Sequence, residues 1–209
     1  MSDTQMSCMV FVIDDDASVR ASLSELLTSV DLPTRTFAST LDFMQHCSPD
    51  VPSCLILDVR LPGCSGLDFQ AHLSNSAVQM PVIFITGYGD IPMTVRAMKA
   101  GAFEFLTKPF RDQDLLDAVQ RGLEQDRERR ERQKAIEDIK ARFHTLTRRE
   151  RDVVAGVSAG LMNKQIAGEL DIAEITVKVH RGNAMRKIGA RSLADLIRMA
   201  QILNLNARQ

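Results

Sequence analysis

Cys54-Leu55-Ile56-Leu57-Asp58-Val59-Arg60-Leu61-Pro62-Gly63 sets four apolar residues directly before a carboxylate, with a proline–glycine turn shortly after it. A continuous apolar run of this length, closed by turn residues, predicts a strand buried on both faces. Similar runs stand at 9–13, 34–37, 82–85 and 103–106. Between them apolar residues recur at helical spacing, as in Val19, Leu23, Leu26, Leu27 and Val30. Strands alternating with helices predict an α/β unit over residues 8–123, a doubly wound five-stranded parallel sheet. In such sheets functional groups collect at the carboxyl ends of the strands. Polar residues stand at those ends here: Asp14, Asp15 and Asp16 after the first run, Asp58 after the third, Thr86 after the fourth and Lys108-Pro109 after the fifth. Carboxylates gathered in one place repel each other, so the cluster calls for a cation. A hard divalent ion such as Mg²⁺ (or Mn²⁺) takes carboxylate and carbonyl oxygens and leaves positions that suit phosphate.

The set Val12-Ile13-Asp14-Asp15-Asp16, Leu57-Asp58-Val59-Arg60-Leu61-Pro62-Gly63, Ile85-Thr86-Gly87 and Lys108-Pro109-Phe110 resembles the response-regulator receiver pattern, in the right order. The resemblance implies a CheY-like receiver in which Asp58 accepts a phosphoryl group from a sensor histidine kinase. It implies that Asp14, Asp15, Asp58 and the Arg60 backbone carbonyl hold Mg²⁺, that Lys108 and Thr86 bind phosphoryl oxygens, and that the Lys108–Pro109 bond is cis. It also makes Thr86 and Phe105 the switch pair, and Phe105 serves equally as a core residue. The stretch 91–99 is similar to the FixJ subgroup, which implies a dimer face including Val95 and Lys99 and a homodimer in the phosphorylated form.

Beyond the receiver the composition shifts. Residues 1–123 carry a net charge of −7, residues 124–140 balance, and residues 141–209 carry +6. An acidic half joined to a basic half makes the basic one the candidate for nucleic acid, with a chance imbalance of two solvated surfaces as the alternative. Nine of the eleven residues 124–134 are charged, with signs mixed, and Ile136, Ile139, Phe143 and Leu146 then restore an apolar stripe. This reads as a solvated helical linker, 124–143, continuing the last receiver helix, with a flexible tether as the alternative.

From residue 144 to 209 the pattern is all-helical. Thr147-Arg148-Arg149-Glu150 reads as a capping box. Gly160 is expected to end that first helix, Asn163 to cap the second, and Gly189 to close a third that starts at Glu174. Two short helices joined by the tight turn Asp171-Ile172-Ala173 form a helix-turn-helix. The words Leu146-Thr147-Arg148-Arg149-Glu150-Arg151, Asn163-Lys164-Gln165-Ile166-Ala167 and Thr176-Val177-Lys178-Val179-His180-Arg181 resemble the LuxR/FixJ type of DNA-binding domain. Val177, Ala184 and Ile188 should face the core, leaving Lys178, Val179, Arg181 and Arg186 for base edges. Lys164, Thr176, His180 and Lys187 suit phosphate contacts, and His180 serves equally as a packing residue. Ala173 stands where a capping Ser or Thr is expected, and Gly182 costs the recognition helix about 1 kcal/mol relative to Ala.

Together these readings imply a two-component response regulator of the FixJ/NarL family. It would act as an activator, binding double-stranded DNA as a dimer at half-sites about one helical turn apart, with RNA polymerase a further candidate partner. An enzymatic alternative, a Mg²⁺-dependent phosphohydrolase, lacks a second carboxylate after Asp58, since Arg60 stands two residues on. No run of about 18 apolar residues and no basic leader are seen, so no membrane contact and a cytoplasmic location are expected. Cys8, Cys47, Cys54 and Cys64 follow no metal-ligand spacing.

Overall fold

The computed structural model describes residues 8–47, 49–74, 78–87 and 89–203. In chain order the elements of the first part are β1 (Met9–Ile13), α1 (Ala17–Thr28), β2 (Thr34–Phe37), α2 (Thr40–His46), β3 (Ser53–Asp58), β4 (Arg60–Leu61), β5 (Cys64–Ser65), α3 (Gly66–Ser74), β6 (Val82–Thr86), α4 (Ile91–Lys99) and β7 (Glu104–Thr107). Then follow α5 (Asp112–His144), α6 (Arg148–Ser158), α7 (Asn163–Leu170), α8 (Glu174–Ile188) and α9 (Leu193–Ile202). The chain divides into two compact units, one ending at Arg130 and the other beginning at Glu131.

In the first unit five parallel strands lie in the order β2-β1-β3-β6-β7, the expected doubly wound sheet. Side chains alternate across a strand, and the two faces separate cleanly. Phe11, Ile13, Leu55, Leu57 and Phe84 join Phe37, Phe43 and Phe69 in one core cluster. Val10, Val12, Cys54, Ile56, Ile83 and Ile85 meet Leu23 and Leu27 of α1 and Leu115, Val119 and Leu123 of α5 in the other. Both faces of the sheet are therefore covered, which is why the strands read as unbroken apolar runs. The fifth strand lies one residue later than the run 103–106, because Phe103 turns into the second cluster while Glu104 begins the ladder with Ile83. The short antiparallel pair β4–β5 was not foreseen, since two-residue strands leave no periodic signal.

α5 continues unbroken for 33 residues, as the helical reading of the linker anticipated. Glu124, Gln125 and Glu128 of this helix are exposed, as expected of a solvated linker, yet the segment 124–130 groups with the first unit. The reason is Asp126, which is fully buried. It accepts hydrogen bonds from the Ser53 N–H at 2.9 Å, from Arg129 Nε at 2.8 Å and from Arg130 Nε at 2.7 Å. The two guanidiniums also reach main-chain carbonyls, Arg129 that of Gln79 and Arg130 that of Pro49. The run is thus bolted to the amino edge of the sheet, opposite the acidic site.

The second unit closes on Leu146, Val153, Val154, Ile166, Val177, Ala184, Ile188 and Leu196. The capping box is present: Glu150 N–H donates to Thr147 Oγ1, and Thr147 N–H to Glu150 Oε2. α6 and α8 end at Gly160 and Gly189, with φ of 79° and 84°, as the glycine placement predicted. α7 departs from expectation. Met162 takes the cap position and its N–H donates to Gln165 Oε1, so Asn163 is the first helical residue and its side chain is free for another partner.

Candidate functional site

The register brings the strand-end residues together. Ile13 pairs with Leu57 and Asp58 with Ile85, so Asp14 and Asp58 leave neighbouring strands side by side at the carboxyl edge. Thr86 pairs with Thr107, and the Lys108 N–H donates to the Thr86 carbonyl at 2.7 Å, which delivers the lysine to the same edge. This edge is the point at which the strand order reverses between β1 and β3, where open α/β sheets bind their ligands.

Asp14 is buried and held from three sides. Its Oδ1 accepts the Asp16 N–H at 2.9 Å, its carbonyl accepts Arg20 Nη1 at 2.7 Å, and its Oδ2 accepts Lys108 Nζ at 2.9 Å. The same ammonium lies 3.8 Å from Asp58 Oδ2. Asp15 is exposed beside them, and oxygens of Asp14, Asp15 and Asp58 lie within 4.8 Å of one another. Asp16, the third of the run, is not part of this group. It caps α1 by accepting the Ser18 N–H at 2.8 Å. Burial pushes the Asp58 carboxyl above its ordinary value, against the pull of Lys108, and Asp14 and Asp15 push it the same way.

Three carboxylates facing one ammonium are under-neutralised, and their hard oxygens fit Mg²⁺ or Mn²⁺. The Arg60 N–H reaches Asp58 Oδ1 at 3.4 Å. Gly66 is required here: a Cβ at this position would stand 2.5 Å from the Asp58 carbonyl oxygen. Thr86 is buried at the strand end, and the Phe105 ring is partly buried, 6.3 Å from that of Phe84. The Lys108–Pro109 bond is cis, as expected. Val95 and Lys99 are both exposed on α4.

In the second unit Val177, Ala184 and Ile188 are buried as the spacing required, and Lys164, Lys178, Val179 and Arg186 are exposed. Lys178 pairs with Glu174 at 3.2 Å. Thr176 and His180 are half-buried. Arg181, expected to face outward, is half-buried. Its Nη1 donates to Asn163 Oδ1 at 3.1 Å, which ties α8 to the start of α7. Lys187 is engaged by buried Glu150 at 2.7 Å. Burial alone would raise the Glu150 carboxyl, but Lys187 and Thr147 outweigh it and hold it below the usual range.

Sequence reasoning passed over Asp126, Gly66 and Ile175. Asp126 did carry a signal, because it continues the buried spacing Leu115, Val119, Gly122 of α5. Gly66 carried none, since only the fold brings it against Asp58.

A receiver-type sheet with a three-carboxylate, one-lysine site, in one chain with a helix-turn-helix unit, defines a two-component response regulator. Residues 10–120 match the response regulator receiver domain family, and residues 144–200 match the luxR family of bacterial regulatory proteins. Nodulation protein W of Bradyrhizobium diazoefficiens is 55% identical over 206 residues, 99% of this chain and 91% of that protein. Among solved structures, response regulator StyR is 50% identical with a TM-score of 0.80, covering 93% of this chain and 98% of that one. Full-length FixJ from B. japonicum is 37% identical with a TM-score of 0.55, covering 95% and 98%. The chain belongs to the response regulators of FixJ/NarL type, with a receiver and a LuxR-type DNA-binding domain. No helix among the described residues is long and apolar enough to cross a membrane.

Proposed function

We propose that this chain is a cytoplasmic transcriptional activator switched by phosphorylation of Asp58. The observation that carries the reading is the convergence of Asp14, Asp15, Asp58 and Lys108 at one sheet edge. An Asp58 oxygen attacks the phosphorus of a kinase phosphohistidine, the N–P bond breaks, and the imidazole nitrogen keeps the electron pair. Asp14, Asp15, Asp58 and the Arg60 carbonyl would hold Mg²⁺, which neutralises charge on the transferring group. Lys108 moves its ammonium from Asp14 towards the phosphoryl oxygens, and the Thr86 hydroxyl donates to one of them. Phe105 fills the space that Thr86 vacates. The phosphate biases a pre-existing equilibrium towards an active form that dimerises through the α4 face bearing Val95 and Lys99. The dimer then binds paired DNA half-sites.

The test is a DNA-binding titration at fixed salt with wild type and Asp58→Asn, each with and without acetyl phosphate and Mg²⁺. Tighter binding by phosphodonor-treated wild type alone is the expected result. DNA binding that ignores the phosphodonor in both proteins would overturn the switching mechanism.

A further inference from the structure

α8 presents one stripe to solvent that its packing does not use. Ile175, Lys178, Val179, Gly182 and Arg186 stand at i, i+3, i+4, i+7 and i+11, which is one face of a helix, and all five are exposed. The buried stripe of the same helix is Val177, Ala184 and Ile188. Ile175 is 67% exposed and Val179 54%, so two large apolar side chains one turn apart lie in water. Their neighbours are cationic: Lys178 and Arg186 on the same stripe, in a region of net +6. An apolar pair inside a basic surface fits a polyanion that itself carries apolar groups. Duplex DNA is such a partner, because thymine sets a methyl group in the major groove and no other base does. Gly182 continues the stripe without a side chain. A Cβ there would meet nothing within 4 Å, so packing inside the domain does not require glycine. What the missing side chain provides is room on the outward face.

We propose that Ile175 and Val179 form an apolar reading head for two thymine methyl groups, and that Gly182 lets the adjoining base edges close onto the helix backbone. This rests on the DNA-binding reading above and names the class of half-site it recognises. Residues four apart are about 6 Å apart along a helix, and base pairs rise about 3.4 Å. The two thymines therefore lie one or two base steps apart. Lys178 exchanges Glu174 for a base or phosphate acceptor on the same stretch. Arg181, tied to Asn163, is a positioning residue that sets α8 against α7.

The experiment first selects the preferred half-site from a random duplex pool with the full chain. Each thymine is then replaced singly by deoxyuridine, which removes the methyl group and keeps every hydrogen-bonding atom. Affinity at fixed salt should fall about fourfold at two positions one or two steps apart, the fold-change equivalent of burying one methyl group. Ile175→Ala should abolish the loss at one position and Val179→Ala at the other. The salt slope should stay unchanged in both, whereas Lys178→Ala should lower it. Gly182→Ala should raise thermal stability and weaken binding to the selected site. Selective binding that is indifferent to deoxyuridine, or equally sensitive in Ile175→Ala, overturns the reading head and leaves the proposed function standing. Tighter or unchanged binding by Gly182→Ala overturns the role given to the glycine. No sequence-selective binding, with or without phosphodonor, overturns the DNA-binding reading itself.

Discussion

Lys187 gives its ammonium to Glu150, a carboxylate that water scarcely reaches, so its removal leaves a buried charge held by the Thr147 N–H but without a cation. Lys187→Ala should destabilise the second unit by about 2 kcal/mol, read as a lowered melting temperature. Lys187→Met should be as damaging, because the charge rather than the stem is what Glu150 needs. The pH dependence follows from the lowered Glu150 carboxyl. Its stabilising contribution is complete above the ordinary glutamate value of 4.5 and is lost as pH falls through the lower folded value. In Lys187→Ala that acid-side loss should flatten. At the acidic site the balance is reversed, since Asp58 is raised by burial among carboxylates. Mg²⁺ should therefore raise the melting temperature of the first unit, and Asp15→Asn should abolish most of that rise. A melting curve indifferent to Mg²⁺ would argue against the metal set.

At the scale of elements, α5 matters most because one helix joins both units. Its charged segment 124–130 is anchored through Asp126 to the first residue of β3, the strand that ends in Asp58. Asp126→Ala should cost the first unit about 3 kcal/mol, because two guanidiniums and a strand N–H lose their acceptor together. Amide exchange across 124–130 should then accelerate to the rate of an exposed helix. Exchange there that stays as slow as in wild type would remove the anchor from the account. α8 starts without a side-chain cap at Ala173. Ala173→Ser should stabilise the second unit by about 1 kcal/mol.

On the scale of the whole molecule, two compact units, the first with a core cluster on each sheet face and the second with one of its own, imply two cooperative transitions. Calorimetry should resolve them, with Mg²⁺ moving only the first and Lys187→Ala only the second. A single transition shifted by both would contradict the independence of the cores. The opposite charges of the two halves add a second expectation. Binding by the full chain should weaken steeply with salt, as the cationic residues 141–209 release counterions from DNA.

Strand periodicity and the polar residues at the run ends were local facts, and they determined the sheet, the acidic site and the two-part organisation. The apolar repeat of Val177, Ala184 and Ile188 likewise determined the inward side of α8. Three matters needed the tertiary structure. The run 124–134 is polar by composition, and although Asp126 falls on the buried spacing of α5, only the fold supplies the Ser53 N–H and the guanidiniums, themselves held by the carbonyls of Pro49 and Gln79, that satisfy a carboxylate there. Gly66 is 8 residues from Asp58, and nothing in that spacing signals a backbone approach that excludes a Cβ. Arg181 and Lys187 are basic residues on a recognition helix and read as DNA contacts. Which intramolecular acceptor each cation also meets depends on half-buried Asn163 and buried Glu150, which lie 18 and 37 residues away and come near only when the chain folds.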